Sequence, residues 1–402
     1  MDFAIKNIVI ATVIFGTILV IIFENRNPVK TIAWCMVLTF MPVIGLLLYI
    51  LFGMDNRHRR QIKDEDLSRL KGITEITQSD DILSEMPVPQ KPLADMLSKM
   101  NKSFLLSGND VEIITDFQTM SDRLIADIEG ARHHINMLFF KFEDDAAGRR
   151  IADALIRKSE EGVLVRLIYD DAGNLMVPRR FYRKLRKHGI QVRGFIRIFL
   201  PILSRDYNSR NHRKVVVIDG RVGYMGGMNI AQRYAEGLKW GIWRDTHMRI
   251  TGPAVSELQT SFLTDWKFTK GDEPDLDPMY PYNPPCGNTL MQIVTGGPMD
   301  KWNAMMQAYM TAIVSARSYA YLQSPYFIPP EPIMKVLQNA ALSGVDVRVM
   351  IPYRGDKGVL PPWASRSYIK EALNAGIKMY LYRKGYMHAK TMTIDDSLVT
   401  IG

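Results

Sequence analysis

The sequence predicts an α/β protein built from two tandem α/β/α halves, each a mixed sheet flanked by helices, preceded by a two-helix transmembrane hairpin. The first observation is a repeated motif, in which His-x-Lys is followed after four residues by Asp, beginning at His212 and at His388. The second is that strand-like apolar runs alternate with amphipathic segments in the same order around both copies. The third is a pair of apolar stretches that open the chain.

The two apolar stretches cover residues 8–23 and 31–52, with a short polar turn between them. Each approaches or reaches the roughly 20 residues that an α-helix needs to cross a bilayer core. A cleaved signal peptide is the alternative for the first stretch, but no small-residue cleavage site precedes the second stretch. We therefore expect residues 1–53 to form two transmembrane helices.

The distribution of charged residues predicts the orientation of the chain in the membrane and its binding partners. A cationic cluster at residues 57–63 follows the second stretch, so the positive-inside rule predicts that the rest of the chain lies in the cytoplasm. The formal net charge of +9 suits an anionic lipid surface or nucleic acid, and the apolar stretches favour lipid. Cys35 and Cys286 lie in unrelated segments and predict neither a disulfide framework nor a metal site.

The first half is predicted at residues 109–270, after a charged, proline-containing juxtamembrane connector at residues 54–108 that includes some helix. Two of its helices are expected to end near Gly162 and Gly189, because glycine tolerates the backbone conformation found just after a helix. The pattern predicts helices at residues 120–130, 146–161, 179–188 and 254–266, and strands at residues 135–142, 163–169, 215–218, 222–225 and 243–250. Residues 192–199 form a further apolar run before the first motif.

The second half, at residues 291–402, repeats the plan of the first after a linker at residues 271–290 that is rich in Pro and Asp. For example, Ser-Gly-Val at residues 343–345 parallels Glu-Gly-Val at residues 161–163. This repetition predicts an internal duplication of one α/β unit, with insertions confined to loops.

The repeated motif carries the chemistry. Side chains alternate along a strand, so His212 and Lys214 are predicted to project from one face, and so are His388 and Lys390. Each strand then presents an imidazole beside an ammonium group. That pair suits a reaction at phosphate, because the imidazole can attack or carry a proton while the ammonium balances charge on the phosphoryl oxygens.

The motif ends in Asp219 in the first copy and in Asp395 in the second. Asp219 is followed by Gly220, a hairpin signal between two apolar runs, and Asp395 also stands where the chain turns. Two roles remain open for these carboxylates: capping of the turn, or a direct part in catalysis.

The motif and its continuation resemble the phospholipase D superfamily, whose signature adds Gly-Gly or Gly-Ser six residues later and then Asn. The first copy has Gly226, Gly227 and Asn229, and the second reaches Gly402. The resemblance implies that the two halves pack face to face, with their motif strands meeting on a pseudo-two-fold axis. It narrows to bacterial cardiolipin synthases through Arg-Asn-Pro at residues 26–28, Asn-His-Arg-Lys at 211–214, Trp-Arg-Asp-Thr at 243–246 and Ser-Pro-Tyr-Phe-Ile-Pro at 324–329.

The resemblance also implies a mechanism without metal or other cofactor. His212 is the expected nucleophile, forming a phosphatidyl-histidine from phosphatidylglycerol. His388 is expected to protonate the leaving glycerol and then to activate the headgroup hydroxyl of a second phosphatidylglycerol, which gives cardiolipin. Lys214, Lys390 and Asn229 would stabilise the phosphoryl oxygens.

A nucleophilic imidazole needs its second nitrogen held by an acceptor. The family places that carboxylate roughly thirty residues after the motif, where Asp245 lies, so Asp245 is expected to orient His212; the alternative is a surface charge at a strand start. The matching acid for His388 and the second Asn would follow Gly402. We therefore expect a carboxy-terminally truncated chain whose activity is open.

Two alternatives to a cardiolipin synthase remain: a phospholipase D-type hydrolase, in which water replaces the second lipid, and an inactive truncated membrane protein of the same family. The expected partners are phosphatidylglycerol and the bacterial inner membrane, spanned more than once, with no nucleic acid and with homo-oligomerisation open. The apolar residues 197–203 are expected either to join the core or to dip into the bilayer. Tyr326 and Phe327 are expected to line the pocket or to pack.

Overall fold

The computed structural model describes residues 2–23, 28–54, 90–196, 210–297, 302–356 and 360–402. The apolar residues 197–203, for which both core packing and bilayer contact were expected alternatives, lie outside these ranges. The amino-terminal helices belong to one compact unit, and the α/β body forms a second.

The amino-terminal unit contains three helices, α1 (Asp2–Phe23), α2 (Pro28–Phe40) and α3 (Pro42–Leu48), and a π-helical turn at Tyr49–Gly53. The stretch predicted as the second transmembrane helix, residues 31–52, is divided between α2, α3 and the π-helical turn, with a break at Met41, where the backbone has φ −131° and ψ 67°. Pro42 causes this break, since a proline disfavours the helical conformation of the residue before it. Across the described ranges, no helix combines the length and the apolar character needed to cross a membrane.

The first sheet of the α/β body has eight strands in the order β4-β3-β2-β5-β6-β8-β1-β9. Strands β2, β3 and β4 are parallel, and β5 runs antiparallel to β2 with Phe139 opposite Lys214. The strands are β1 (Leu105–Ile114), β2 (His134–Phe139), β3 (Leu164–Asp170), β4 (Gln191–Phe195), β5 (Lys214–Ile218), β6 (Val222–Gly226), β8 (His247–Thr251) and β9 (Thr289–Gln292).

Helices cover both faces of this sheet. Two of them begin at the caps Asp116 and Asp145, whose side chains accept from Thr119 N at 2.8 Å and Gly148 N at 2.9 Å. Glycines follow the predicted helix ends as expected, with φ +92° at Gly162. The helices of this half are α5 (Phe117–Gly130), α6 (Ala146–Glu160), α7 (Arg179–Lys187), α8 (Gln232–Glu236) and α9 (Val255–Phe268), whereas the preceding helix α4 (Lys91–Asn101) packs Leu93 and Leu97 into the core of the second half.

The second sheet has five strands in the order β12-β11-β10-β14-β15. The first five positions of the first sheet, β4-β3-β2-β5-β6, have the same sequence of parallel and antiparallel neighbours, which confirms the predicted duplication. Its strands are β10 (Tyr319–Gln323), β11 (Asp346–Pro352), β12 (Lys378–Tyr382), β14 (Thr391–Ile394) and β15 (Leu398–Ile401), with helices α10 (Ala304–Ser315), α11 (Glu331–Leu342), α12 (Leu360–Ser367) and α13 (Ile369–Asn374).

Two short strands join the halves. The strand predicted at residues 243–250 is split, so that β7 (Ile242–Arg244) leaves the first sheet and pairs in parallel with β13 (Gly385–Met387), while β8 stays in the first sheet. The break falls at Asp245 and Thr246. This split places Asp245 at the junction of the two halves, next to the residue that follows β13, His388.

Candidate active site

Both motifs lie at the same kind of edge, where the parallel strands of each sheet end. His212 precedes β5, and β5 begins opposite the end of β2. His388 likewise precedes β14, whose first residue pairs with the last residue of β10. The predicted alternation of side chains is confirmed, because the Nζ atom of Lys214 lies 3.0 Å from Nδ1 of His212 and that of Lys390 lies 3.0 Å from Nδ1 of His388.

Asp245 contacts the second histidine and not the first. The Nδ1 atom of His388 lies 2.6 Å from Oδ2 of the fully buried Asp245, and the backbone N–H of His388 donates to Arg244 O at 2.7 Å. The predicted pairing of Asp245 with His212 is therefore wrong. The reason is the split described above, since β7 carries Asp245 out of its own sheet and across to β13.

The two histidines consequently have different surroundings. His388 is 8% exposed, whereas the His212 side chain reaches solvent and packs against Phe140 with ring centroids 4.5 Å apart. None of the carboxylates in the described segments bonds to the His212 ring. Its described polar neighbour is the ammonium of Lys214.

The pKa values of the two histidines are also affected differently by their surroundings. Although part of its ring reaches solvent, the surrounding protein lowers the pKa of His212 far below the usual value, and the positive charges of Lys214, Lys390 and His388 lower it further. Burial also lowers the pKa of His388, but the hydrogen bond to Asp245 opposes that shift. The first imidazole is thus held neutral, and the second has a partner that stabilises its charged form.

The lysines are perturbed as well. Burial lowers the pKa of Lys214 well below the usual value, and the charge of Lys390 adds to the shift. Burial brings the pKa of Lys390 to about 8, against the opposing charges of Asp245 and Asp356. Clustered, desolvated cations of this kind favour an anion between them.

The glycine pair after the first motif makes room for Asp245. A Cβ atom on Gly227 would lie 2.1 Å from Asp245 Oδ1, and one on Gly226, where φ is +147°, would lie 2.6 Å from His247 Cα. Gly227 N also donates to Thr246 O at 2.8 Å. The Gly-Gly element of the signature therefore allows the Asp245 segment to approach the motif hairpin closely.

Asn229 belongs to the network around His388. Its Oδ1 accepts from Lys141 N at 3.1 Å, and its Nδ2 donates to the Tyr234 hydroxyl at 2.8 Å. That hydroxyl lies 3.5 Å from Nδ1 of His388. Asn229 thus sits at the site as expected, with one amide N–H committed to Tyr234.

Asp219 and Asp395 occupy the opposite ends of their strands. Asp219 accepts from the backbone N–H groups of residues 132, 133 and 134 at 2.8–2.9 Å, and Asp395 accepts from those of residues 317, 318 and 319 at 2.6–2.8 Å. In the part of the chain that the structure describes, neither carboxylate contacts a motif histidine. The structure therefore favours the turn-capping alternative for both.

Sequence reasoning missed an aromatic box around His388. The rings of Tyr234, Trp243 and Tyr386 lie 5.7–6.2 Å from its imidazole, centroid to centroid. Tyr386 donates to the Tyr326 hydroxyl at 2.9 Å, and Tyr326 is 40% exposed, so it borders the site as expected. Phe327, by contrast, packs into the core of the second half. Trp243 and Tyr386 meet because they occupy paired positions on β7 and β13, and no motif in the sequence marks that pairing.

Two duplicated α/β halves that each supply a His–Lys pair to a common edge define a phospholipase D-like protein. A solved phosphatidylserine synthase from Haemophilus influenzae has the same fold, with a TM-score of 0.56 at 14% identity over 76% of this chain and 81% of its own. The family model described as cardiolipin synthase, PLD-like domain, matches residues 124–266 and 309–402, and a phospholipase D-nuclease N-terminal model matches residues 12–53. The chain belongs to this PLD-like cardiolipin synthase family.

Proteins similar in sequence to this chain are also described as cardiolipin synthases. The major cardiolipin synthase of Bacillus subtilis is 37% identical over 100% of this chain and 84% of its own length. A cardiolipin synthase of Geobacillus kaustophilus is 38% identical over 96% of this chain and 78% of its own length.

Proposed function

We propose that this chain is a cardiolipin synthase that transfers a phosphatidyl group between two phosphatidylglycerol molecules, giving cardiolipin and glycerol. The observation that carries the proposal is the asymmetric surroundings of the two histidines: His212 is exposed and contacts the Lys214 ammonium, and His388 is buried and held by the Asp245 carboxylate. Family membership supplies the substrate class.

In the first step, His212 attacks the phosphorus of phosphatidylglycerol, so that a P–N bond forms and the P–O bond to the glycerol headgroup breaks. His388 donates its Nε2 proton to the departing oxygen. This division of roles follows from the contacts: Asp245 stabilises the imidazolium that an acid needs, and His212 is kept in the neutral form that a nucleophile needs.

In the second step, the headgroup hydroxyl of another phosphatidylglycerol attacks the phosphorus and displaces His212. His388 now accepts the hydroxyl proton and returns to its starting state. Lys214 and Lys390 balance the charge on the phosphoryl oxygens, and the second N–H of Asn229 donates to them. One phosphodiester replaces another, so no nucleotide is consumed.

We place the reaction at the bacterial cell membrane, with the amino-terminal helices as the attachment and the α/β body on the cytoplasmic side. Large apolar side chains on these helices are exposed, including Phe15 at 63%, Phe23 at 82% and Phe40 at 76%. An apolar surface of this kind suits contact with lipid.

A product assay tests the function. The purified chain, reconstituted with phosphatidylglycerol as the sole lipid, is expected to form cardiolipin and glycerol in equal amounts by mass spectrometry. His212→Ala and His388→Ala should abolish the product, and Lys335→Ala on α11 serves as the surface control. Phosphatidic acid as the main product would instead establish a hydrolase. The absence of both cardiolipin and phosphatidic acid would overturn the proposal.

A further inference from the structure

The loop that follows β3 exposes two large apolar side chains beside the site. Leu175 is 50% exposed and Met176 is 95% exposed. Exposed apolar surface that is contiguous and rimmed by polar or charged residues is typical of an interaction site. We call residues 171–177 the tip loop.

The tip loop is anchored to the active site. Asp170 accepts from Gly173 N at 3.1 Å with one oxygen and from Asn211 N, next to His212, at 3.0 Å with the other. Asn174 accepts from Phe142 N at 2.9 Å and donates to Phe140 O at 2.8 Å. Because Phe140 packs against the His212 ring, the exposed tip is fixed at the same strand edge as the nucleophile.

A basic helix continues from the tip loop. Every charged residue of α7 is Lys or Arg, and Arg179 and Arg180 follow Met176 within four residues. Arg183, Lys184, Arg186 and Lys187 are exposed as well. Among the described ion pairs, Lys184 has an acidic partner, Asp153 at 3.1 Å, and no other α7 cation has one.

The duplicated half also exposes apolar side chains after the equivalent strand. The helix after β11, α12, exposes Leu360 at 73% and Trp363 at 61%. Strand β11 is the counterpart of β3 in the sheet order, and both strands end at the edge where the motif histidines lie. Apolar side chains are therefore exposed on both flanks of the site.

We propose that the tip loop and the cations of α7 dock on an anionic phospholipid bilayer, with Leu175 and Met176 inserted among the lipids, so that lipid enters the site from that side. Charge complementarity selects this partner, since apolar side chains bordered by cations suit the interface of an anionic membrane. Nucleic acid would use the cations but would leave Met176 without a role. The proposal rests on the proposed function, because it supplies that site with its lipid.

A fluorescence experiment on the full chain tests the docking. In a Cys35→Ser, Cys286→Ser background, a polarity-sensitive dye is attached to Met176→Cys. The control carries the dye at Leu342→Cys, an exposed position at the end of α11 in the second half. In vesicles containing phosphatidylglycerol, the dye at position 176 should shift to shorter wavelength and be quenched by brominated lipids, and the dye at position 342 should do neither. An aqueous spectrum at position 176 overturns the proposal.

Charge reversal provides the second arm. Arg179→Glu combined with Arg180→Glu and Arg183→Glu should weaken docking by more than about a hundredfold and remove the quenching at position 176. Lys335→Glu combined with Lys370→Glu is the control reversal and should leave the quenching intact. If α7 reversal leaves the quenching intact and instead abolishes binding of duplex DNA, nucleic acid is the partner and the proposal fails.

The two proposals fail separately. If a soluble short-chain phosphatidylglycerol yields cardiolipin while the dye at position 176 stays in water, the docking surface is wrong and the proposed function stands. If neither substrate form yields cardiolipin while the dye inserts, the docking surface stands and the function is wrong.

Discussion

At the scale of single residues, the hydrogen bond between Asp245 and His388 decides how the chemistry is divided. From the sequence, the two motif copies were equivalent, and the carboxylate was predicted to serve the histidine of its own half. Residue spacing could not reveal the crossing, because the turn at Asp245 and Thr246 depends on pairing with a strand more than a hundred residues away. The residue types at the site were predictable; the partner of this carboxylate was not.

The first prediction concerns this pair. Asp245→Asn should remove the negative charge that raises the pKa of His388, so the pKa falls further and less imidazolium is present at a given pH. Glycerol release needs that imidazolium, so its alkaline limb should move to lower pH and its rate should fall by about 10²–10⁴-fold. Rapid-quench measurement of glycerol release across pH, with Asp275→Asn as a surface control, checks this. An unchanged pH profile would mean that Asp245 does not act through His388.

The second prediction concerns Gly227. Gly227→Ala should force the Asp245 carboxylate away, because the new Cβ would lie 2.1 Å from Oδ1, and overpacking of this kind costs about 1–3 kcal/mol. Gly227→Ala should therefore lose a large fraction of the wild-type activity while its melting temperature changes little. Gly130→Ala is the matched control, since a Cβ there meets nothing within 4 Å. Equal activity in the two variants would contradict the role given to the glycine pair.

At the scale of elements, local signals predicted helices better than strands. The helices predicted at residues 120–130 and 146–161 agree with α5 and α6 to within three residues at each end, and Gly162 follows α6 as predicted. The strand predicted at residues 135–142 ends at Phe139, and β9 lies at the border of the predicted linker yet pairs with β1. Strand ends depend on neighbours distant in sequence, which local patterns do not encode.

The two capping aspartates give a prediction at this scale. Asp219→Ala or Asp395→Ala should each destabilise the chain by about 1–3 kcal/mol, because three backbone N–H groups lose their acceptor. Residual activity per folded molecule should change little. Chemical denaturation combined with the product assay measures both quantities, with Asp275→Ala as the control. Full stability together with lost activity would restore the catalytic alternative.

At the scale of the whole molecule, duplication explains the site. One sheet order occurs twice, and each copy brings its His–Lys pair to the edge where its parallel strands end. The repeat could be predicted because short Gly-centred turns recur in both halves. The contact between the halves could not, since β7 and β13 are three-residue strands with no sequence signature of their own.

The central claim is that both pairs act on one phosphorus, with His212 as nucleophile and His388 as acid and base. The most direct measurement is mass spectrometry of the acid-labile adduct formed with a p-nitrophenyl phosphatidyl ester, whose phenolate leaves without needing a proton. In His388→Ala, a phosphatidyl adduct should accumulate on His212, because the second step lacks its base, and His212→Ala should form none. An adduct on His388 of the unmodified chain, or any adduct in His212→Ala, would contradict the account.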